Sequence, residues 1–237
     1  MKKANIQTDT KRQQMYGREA LMPASIFEVI PYKDTFEALK NEDEDQLKEL
    51  LCGFVVSIAK GVYEQTWETI SDKKEKKTLL KALVYLDTLI SLYRMPPAFE
   101  FCLAELSRRF RGVKEDALEM ILQKFCTVGI EERGETMRRK PGSSPATGKA
   151  VQYKFMRSKE QTKILMLHII GIVIHLSPCY SAKLTFLCRI LKKEPNELKS
   201  YCNELGLKLD ACKTRDRETG KEFDDFVAIM RLGKKAT

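Results

Sequence analysis

The chain has 237 residues, 43% of them hydrophobic and 32% charged, enough to bury one large core or two small ones. Lys and Arg number 42 against 33 Asp and Glu, and the net charge of +9 favours a polyanionic partner without identifying one. Residues 1–20 lack the apolar centre of a secretory signal, and the longest apolar run, 164–176, is too short for a bilayer and contains His168 and His175. A soluble protein without membrane association is expected. The seven cysteines form no C-x-x-C pair and fall mostly in apolar helical patterns. They read as reduced core thiols of an intracellular protein, with no zinc site and no other metal.

Charge divides the chain. Residues 1–20 carry five basic and two acidic side chains with no apolar period, and are expected to be a flexible basic leader. Residues 21–75 carry six basic and twelve acidic side chains, peaking over Glu42, Asp43, Glu44 and Asp45. This acidic connector should hold helices over 35–40, 44–60 and 63–70, with Pro23 and Pro31 punctuating its start and Trp67, Tyr63 and Ile70 anchoring it to a core. Its acidic peak fits a solvated helix start, or a face that repels DNA and meets protein. The remaining residues hold 31 basic and 19 acidic side chains, so the basic excess belongs there.

From residue 76, Leu79, Leu80, Leu83, Leu86, Ile90 and Leu92 recur at helical spacing and predict an amphipathic helix that Pro96-Pro97 ends. Phe99, Leu103 and Leu106 predict a second helix, with Gly112 making the turn. Ala117, Leu118, Ile121, Leu122 and Phe125 predict a third, stopped by Gly129. A turn-rich loop over 135–148 follows, and Val151, Tyr153 and Phe155 alternate as a half-buried return strand. The same order recurs. A strongly apolar helix over 161–176 precedes helical patterns over 183–191 and 194–205, a strand over 207–213, a charged loop over 214–221 and a strand over 223–232. Three helices closed by a two-stranded ribbon, twice, predict a mainly α protein with small β-hairpins (α+β). It would be a tandem winged-helix domain with units at 76–156 and 157–237 behind the helical connector.

A helix that enters a major groove needs short polar side chains and cations on its outer face. In the second unit Asn196, Lys199, Ser200 and Asn203 share such a face, Lys192 and Lys193 precede it, and Lys213, Arg215, Arg217 and Lys221 belong to the wing. Asp216, Glu218 and Glu222 dilute the wing, which points to backbone contact rather than base reading. In the first unit Glu115, Asp116 and Glu119 would repel phosphate, leaving Arg108, Arg109, Arg111 and Lys114 in the turn and Arg138, Arg139, Lys140 and Lys149 in the wing. A solubilising charge run explains these as well. His168 and His175 lie seven apart on one helix face, where packing with satisfied imidazoles is favoured over metal binding. No phosphate-cradling glycine loop, nucleophile elbow or two-metal carboxylate pattern is present, so no enzyme, cofactor or small-molecule substrate is expected.

The run Thr162-Lys163-Ile164-Leu165-Met166-Leu167-His168-Ile169-Ile170, then Ile174-His175-Leu176, Pro195-Asn196-Glu197-Leu198 and Asn203-Glu204-Leu205-Gly206, resembles a second winged helix. The family it resembles is the larger partner of the TFIIF/TFIIE-like heterodimer of RNA polymerase I. Phe27-Glu28-Val29-Ile30-Pro31 with Lys81-Ala82-Leu83-Val84-Tyr85-Leu86 resembles that family's connector and first winged helix. The resemblance implies tandem winged helices similar to those of the general factor TFIIE. It further implies contact with double-stranded DNA near the polymerase cleft, support of initiation and elongation of ribosomal RNA synthesis, other polymerase I subunits and initiation factors as partners, and residence in the nucleus and nucleolus. The family's amino-terminal dimerisation barrel, which pairs with a smaller protein, has no counterpart in this sequence. The chain therefore reads as a carboxy-terminal fragment or as one lacking that interaction. Two rival expectations stand beside this one: a protein-docking scaffold without nucleic-acid contact, and single-stranded nucleic-acid binding, which the few aromatics on the presumed faces disfavour.

Overall fold

The computed structural model describes residues 18–67, 70, 72–111, 113–131, 152–177, 180–215 and 222–230. A connector of five short helices comes first: α1 (Arg18–Leu21), α2 (Ala24–Val29), α3 (Lys33–Lys40), α4 (Glu44–Leu50) and α5 (Gly53–Thr66). Then follow α6 (Lys73–Arg94), β1 (Ala98–Phe101), α7 (Leu103–Arg109), α8 (Glu115–Phe125), β2 (Thr127–Glu131) and β3 (Gln152–Met156). The same succession repeats as α9 (Lys159–Leu176), β4 (Ser181–Lys183), α10 (Leu184–Leu191), α11 (Pro195–Glu204), β5 (Lys208–Arg215) and β6 (Glu222–Ile229). Each half closes a three-stranded antiparallel sheet with its last strand in the middle, in the orders β1-β3-β2 and β4-β6-β5. The protein is mainly helical with two small antiparallel sheets, in line with the α+β expectation.

Several elements differ from their sequence expectation. The helix expected over 44–60 is two helices, α4 and α5, separated at Leu51 and Cys52, and α5 runs through Tyr63 to Thr66. The break has a tertiary cause: the backbone N–H of Cys52 donates to Asp87 Oδ1 at 2.7 Å, and Cys52 is extended with ψ 154. Phe99 is not helical but lies on β1, which pairs with β3 opposite Phe155. Lys183 likewise ends a strand, β4, before it caps α10. Each ribbon is therefore three-stranded rather than two-stranded. Gly129 does not stop α8, which ends at Phe125; it sits in β2 opposite Lys154.

Two helices carry the core. α6 is buried on every side from Leu80 to Ile90, and α9 from Leu165 to Ile174. They pack along one another, so the first helices of the two halves lie back to back. α6 is thus not the amphipathic surface helix its leucine spacing suggests, because the connector covers its remaining flank. Phe27 meets Tyr85 edge-on at 5.7 Å, and the buried Lys81 ammonium donates to the carbonyls of Phe27 and Glu28. Phe54 on α5 reaches Phe186 on α10 at 6.2 Å, so the connector touches the second half too. At its start, fully buried Leu21 crosses α9 at Gly171, where an added Cβ would lie 2.7 Å from Leu21 Cδ1.

Helix ends are set locally. Ser158 and Gln161 cap α9 reciprocally, at 3.1 and 2.8 Å, and Asp72 accepts from the Lys74 N–H at 2.8 Å to cap α6. His168 and His175 each place Nδ1 on the carbonyl four residues back, at 2.9 and 2.8 Å. Trp67 stacks on Phe36 at 5.6 Å with Tyr63 beside it at 5.5 Å, the aromatic anchor of the connector. The described cysteines are free thiols, and no helix among the described residues is long and apolar enough to cross a membrane.

Candidate nucleic-acid interface

α11 begins with Pro195 at its first position, where the missing N–H costs nothing, and turns Leu198 and Cys202 wholly inward. The opposite side exposes Asn196, Ser200 and Asn203, a stripe of short polar groups at i, i+4 and i+7. Both carboxylates borne further along this helix are engaged. Glu197 accepts Lys193 Nζ at 2.7 Å and the Tyr201 hydroxyl at 3.2 Å, and Glu204 pairs with Lys163 at 3.1 Å. The Lys193 hydrogen bond holds Glu197 below the usual carboxylate range, and the same contact raises Lys193. Glu194, exposed at the amino end, is the carboxylate nearest the stripe.

Cations flank the stripe. Lys192 is exposed and holds the left-handed conformation (φ 51) that closes α10. Lys199 is half-buried, its Nζ 3.8 Å from the centroid of the Phe226 ring, a contact that ties α11 to β6 and fixes the ammonium beside Ser200. On β5 the alternation puts Lys213 and Arg215 on the exposed side.

The hairpin is oriented by a buried carboxylate. Asp225, 3% exposed, accepts from Thr185 Oγ1 at 2.7 Å, the Thr185 N–H at 3.3 Å, Thr214 Oγ1 at 3.1 Å and the Phe226 N–H at 2.8 Å. One side chain thereby joins β5, β6 and the start of α10. Lys192, Asn196, Lys199, Ser200 and Asn203 thus share one region with the β5–β6 hairpin, whereas Lys193 is spent on Glu197. Arg217 and Lys221 lie outside the described residues.

The first half is arranged differently. Arg108, Arg109 and Lys114 are exposed around the turn from α7 to α8, with the Arg109 guanidinium 5.0 Å from the Phe101 ring centroid. Arg111 turns away from that group. Its Nη1 pairs with both oxygens of the buried Asp87 at 3.0 and 2.9 Å, the same carboxylate that holds the Cys52 N–H. The outer face of α8 carries Glu115, Asp116, Glu119 and Gln123, while α2 packs against the helix and Lys124 Nζ donates to the Ala20 carbonyl at 3.2 Å. Arg138, Arg139, Lys140 and Lys149 lie outside the described residues.

One group of cations escaped the sequence reading. Lys73, Lys74, Lys76 and Lys77 open α6, and four lysines within five residues are the visible signal. Among the described residues no three His, Cys, Asp or Glu side chains converge as metal ligands. The arrangement offers a polar stripe with flanking cations, suited to holding a polyanion. No curated protein matches the chain. A family model described as A49-like RNA polymerase I associated factor matches residues 3–232, nearly the full length. The chain belongs to the family of A49-like RNA polymerase I associated factors, which ties it to the polymerase of ribosomal RNA synthesis.

Proposed function

We propose that the chain serves RNA polymerase I as a non-catalytic module that binds double-stranded DNA, mainly through the backbone. In this reading it supports initiation and elongation near the polymerase cleft, in the nucleolus, beside other polymerase subunits and initiation factors. The order helix–strand–helix–helix–strand–strand, repeated with the same strand arrangement, supports a tandem winged helix with units at 76–156 and 157–237 behind a connector at 21–75.

The observation that carries the reading is α11. Its outward stripe is short and polar, its flanks are cationic, and its internal acids are already paired with Lys193 and Lys163. A helix of this kind meets a groove without bulk or bare negative charge. Lys192, Lys199, Lys213, Arg215, Arg217 and Lys221 would neutralise phosphates, with Asn196, Ser200 and Asn203 against the groove. The acidic face of α8 favours a lesser role for the first unit, through Arg108, Arg109 and Lys114 and its wing.

Titration of a labelled duplex at several salt concentrations tests this. With about five phosphates neutralised, log affinity should fall against log salt with a slope of roughly −4 to −5. Lys199→Glu with Arg217→Glu should weaken unrelated duplexes alike. A protein that shifts no duplex at physiological salt, yet copurifies with the polymerase, would establish the docking scaffold instead.

A further inference from the structure

The amino end of α6 carries a cationic surface that belongs to neither third helix. Lys73, Lys74 and Lys77 are exposed, and Lys76 is half-buried. The Lys76 ammonium stands 4.9 Å from the Trp67 ring centroid, and that of Lys77 stands 5.3 Å from the centroid of Tyr32. These rings fix two of the four cations on one flank of the helix. Asp72 is spent on the Lys74 N–H, and among the described residues no ion pair engages Lys73, Lys74 or Lys77. The first-turn dipole adds to the positive potential.

The chemistry of a partner follows from what the flank offers. Centres of protein interfaces are depleted in lysine and built on accessible apolar anchors. Here the rings are half-buried beneath ammonium groups and the outermost atoms are cations, which is how proteins meet a phosphate backbone. The location is equally telling. α6 has 22 residues, and Tyr93 near its far end lies within electrostatic reach of Lys193 and Glu197 at the start of α11. From Lys76 to Tyr93 the helix rises about 25 Å. The lysine group and α11 therefore occupy opposite ends of one buried helix.

We infer that the lysine end of α6 is a second nucleic-acid-binding surface, which takes a phosphate backbone independently of α11. The inference does not rest on the reading of α11, and the two are separable by mutation. The full chain is titrated with a labelled 20-base-pair duplex and, in a second arm, a 20-nucleotide single strand. Lys73→Glu, Lys74→Glu and Lys77→Glu together should weaken at least one probe five- to tenfold at about 100 mM salt and reduce the salt slope by about 2 to 3. Glutamate suits a first helical turn, so this variant should stay folded; the corresponding glutamines should act in the same direction with a smaller effect. In a Lys199→Glu, Lys213→Glu background residual binding should persist, and adding the α6 changes should abolish it. The arm that responds identifies duplex or single strand as the ligand. Unchanged affinity and slope for both probes would overturn the second surface and leave the α11 reading intact. Loss of binding to polyglutamate alone, with neither nucleic acid affected, would overturn it in favour of an acidic protein.

Discussion

The Arg157 guanidinium lies across the carboxyl end of α6, with Nη1 2.5 Å from the carbonyl oxygen of Leu92. Its other nitrogen reaches the carbonyls of Met95 at 2.9 Å and Tyr93 at 3.3 Å, and its backbone N–H donates to Pro97 at 2.7 Å. Helix ends leave carbonyls without partners, and a residue in the join between the two halves supplies them here. Arg157 is 7% exposed and the contacts around it are carbonyls and the Thr162 hydroxyl rather than a carboxylate.

Arg157→Met should therefore destabilise the protein by about 3 kcal/mol, since the replacement fills the space but leaves buried carbonyls unpaired. Arg157→Lys should recover only part of this, because one ammonium cannot span carbonyls that a planar fork spans. Urea unfolding measures both. A loss within the scatter of surface mutations would show that water replaces the guanidinium freely.

Asp87 serves two partners at once, the Cys52 N–H and Arg111. Asp87→Asn keeps an acceptor for Cys52 and loses the charge, so it should cost about 1–2 kcal/mol. Asp87→Leu strands both partners and should cost about 3–5 kcal/mol. Equal losses in the two variants, by thermal or chemical unfolding, would count against the dual role.

Gly171 gives a test by double-mutant cycle. Gly171→Ala alone should destabilise, because its Cβ would press 2.7 Å from the buried Leu21 side chain. Made in a Leu21→Ala protein, the same change should stabilise by about 1 kcal/mol, the helix preference of alanine over glycine. The same sign in both backgrounds would mean that the close approach does not govern the site.

His168 confers a pH dependence. Burial, with Lys124 nearby, pushes its pKa from 6.5 down to about 4, and the ring edge packs on Phe125 while Nδ1 faces the Ile164 carbonyl. The native protein holds this imidazole neutral. Between pH 6.5 and 4 the unfolded chain binds a proton that the folded chain does not, so stability falls with pH across that window. The component amounts to about 2–3 kcal/mol and is fully present above pH 6.5. His168→Leu should flatten this part of the profile relative to the unmutated chain, as followed by urea midpoints at pH 7.5, 5.5 and 4.5. Parallel profiles would exclude His168 as the source.

The long helices α6, α8 and α9 were legible because apolar side chains repeat over several turns, and the proline pair after α6 marks where it stops. β1 and β4 were not, since four and three residues give no alternation to count and owe their extension to β3 and β6. The division of 44–60 was equally hidden. Leu47, Leu50, Phe54 and Val55 keep a helical period through the break, and its cause, Asp87, lies 35 residues away. In the candidate interface the polar stripe of α11 could be read from spacing. The commitments of Lys193 to Glu197 and of Arg111 to Asp87 could not, because a cation announces its charge and not its partner.

The back-to-back seating of α6 and α9 makes the repeat a unit of sequence and not of folding. Severed after Arg157, the carboxyl half would bare the leucine and isoleucine flank of α9 to solvent. The amino half would keep its caps yet lose the surface those side chains cover. Neither piece should hold its shape alone, and the intact chain should melt in one cooperative transition.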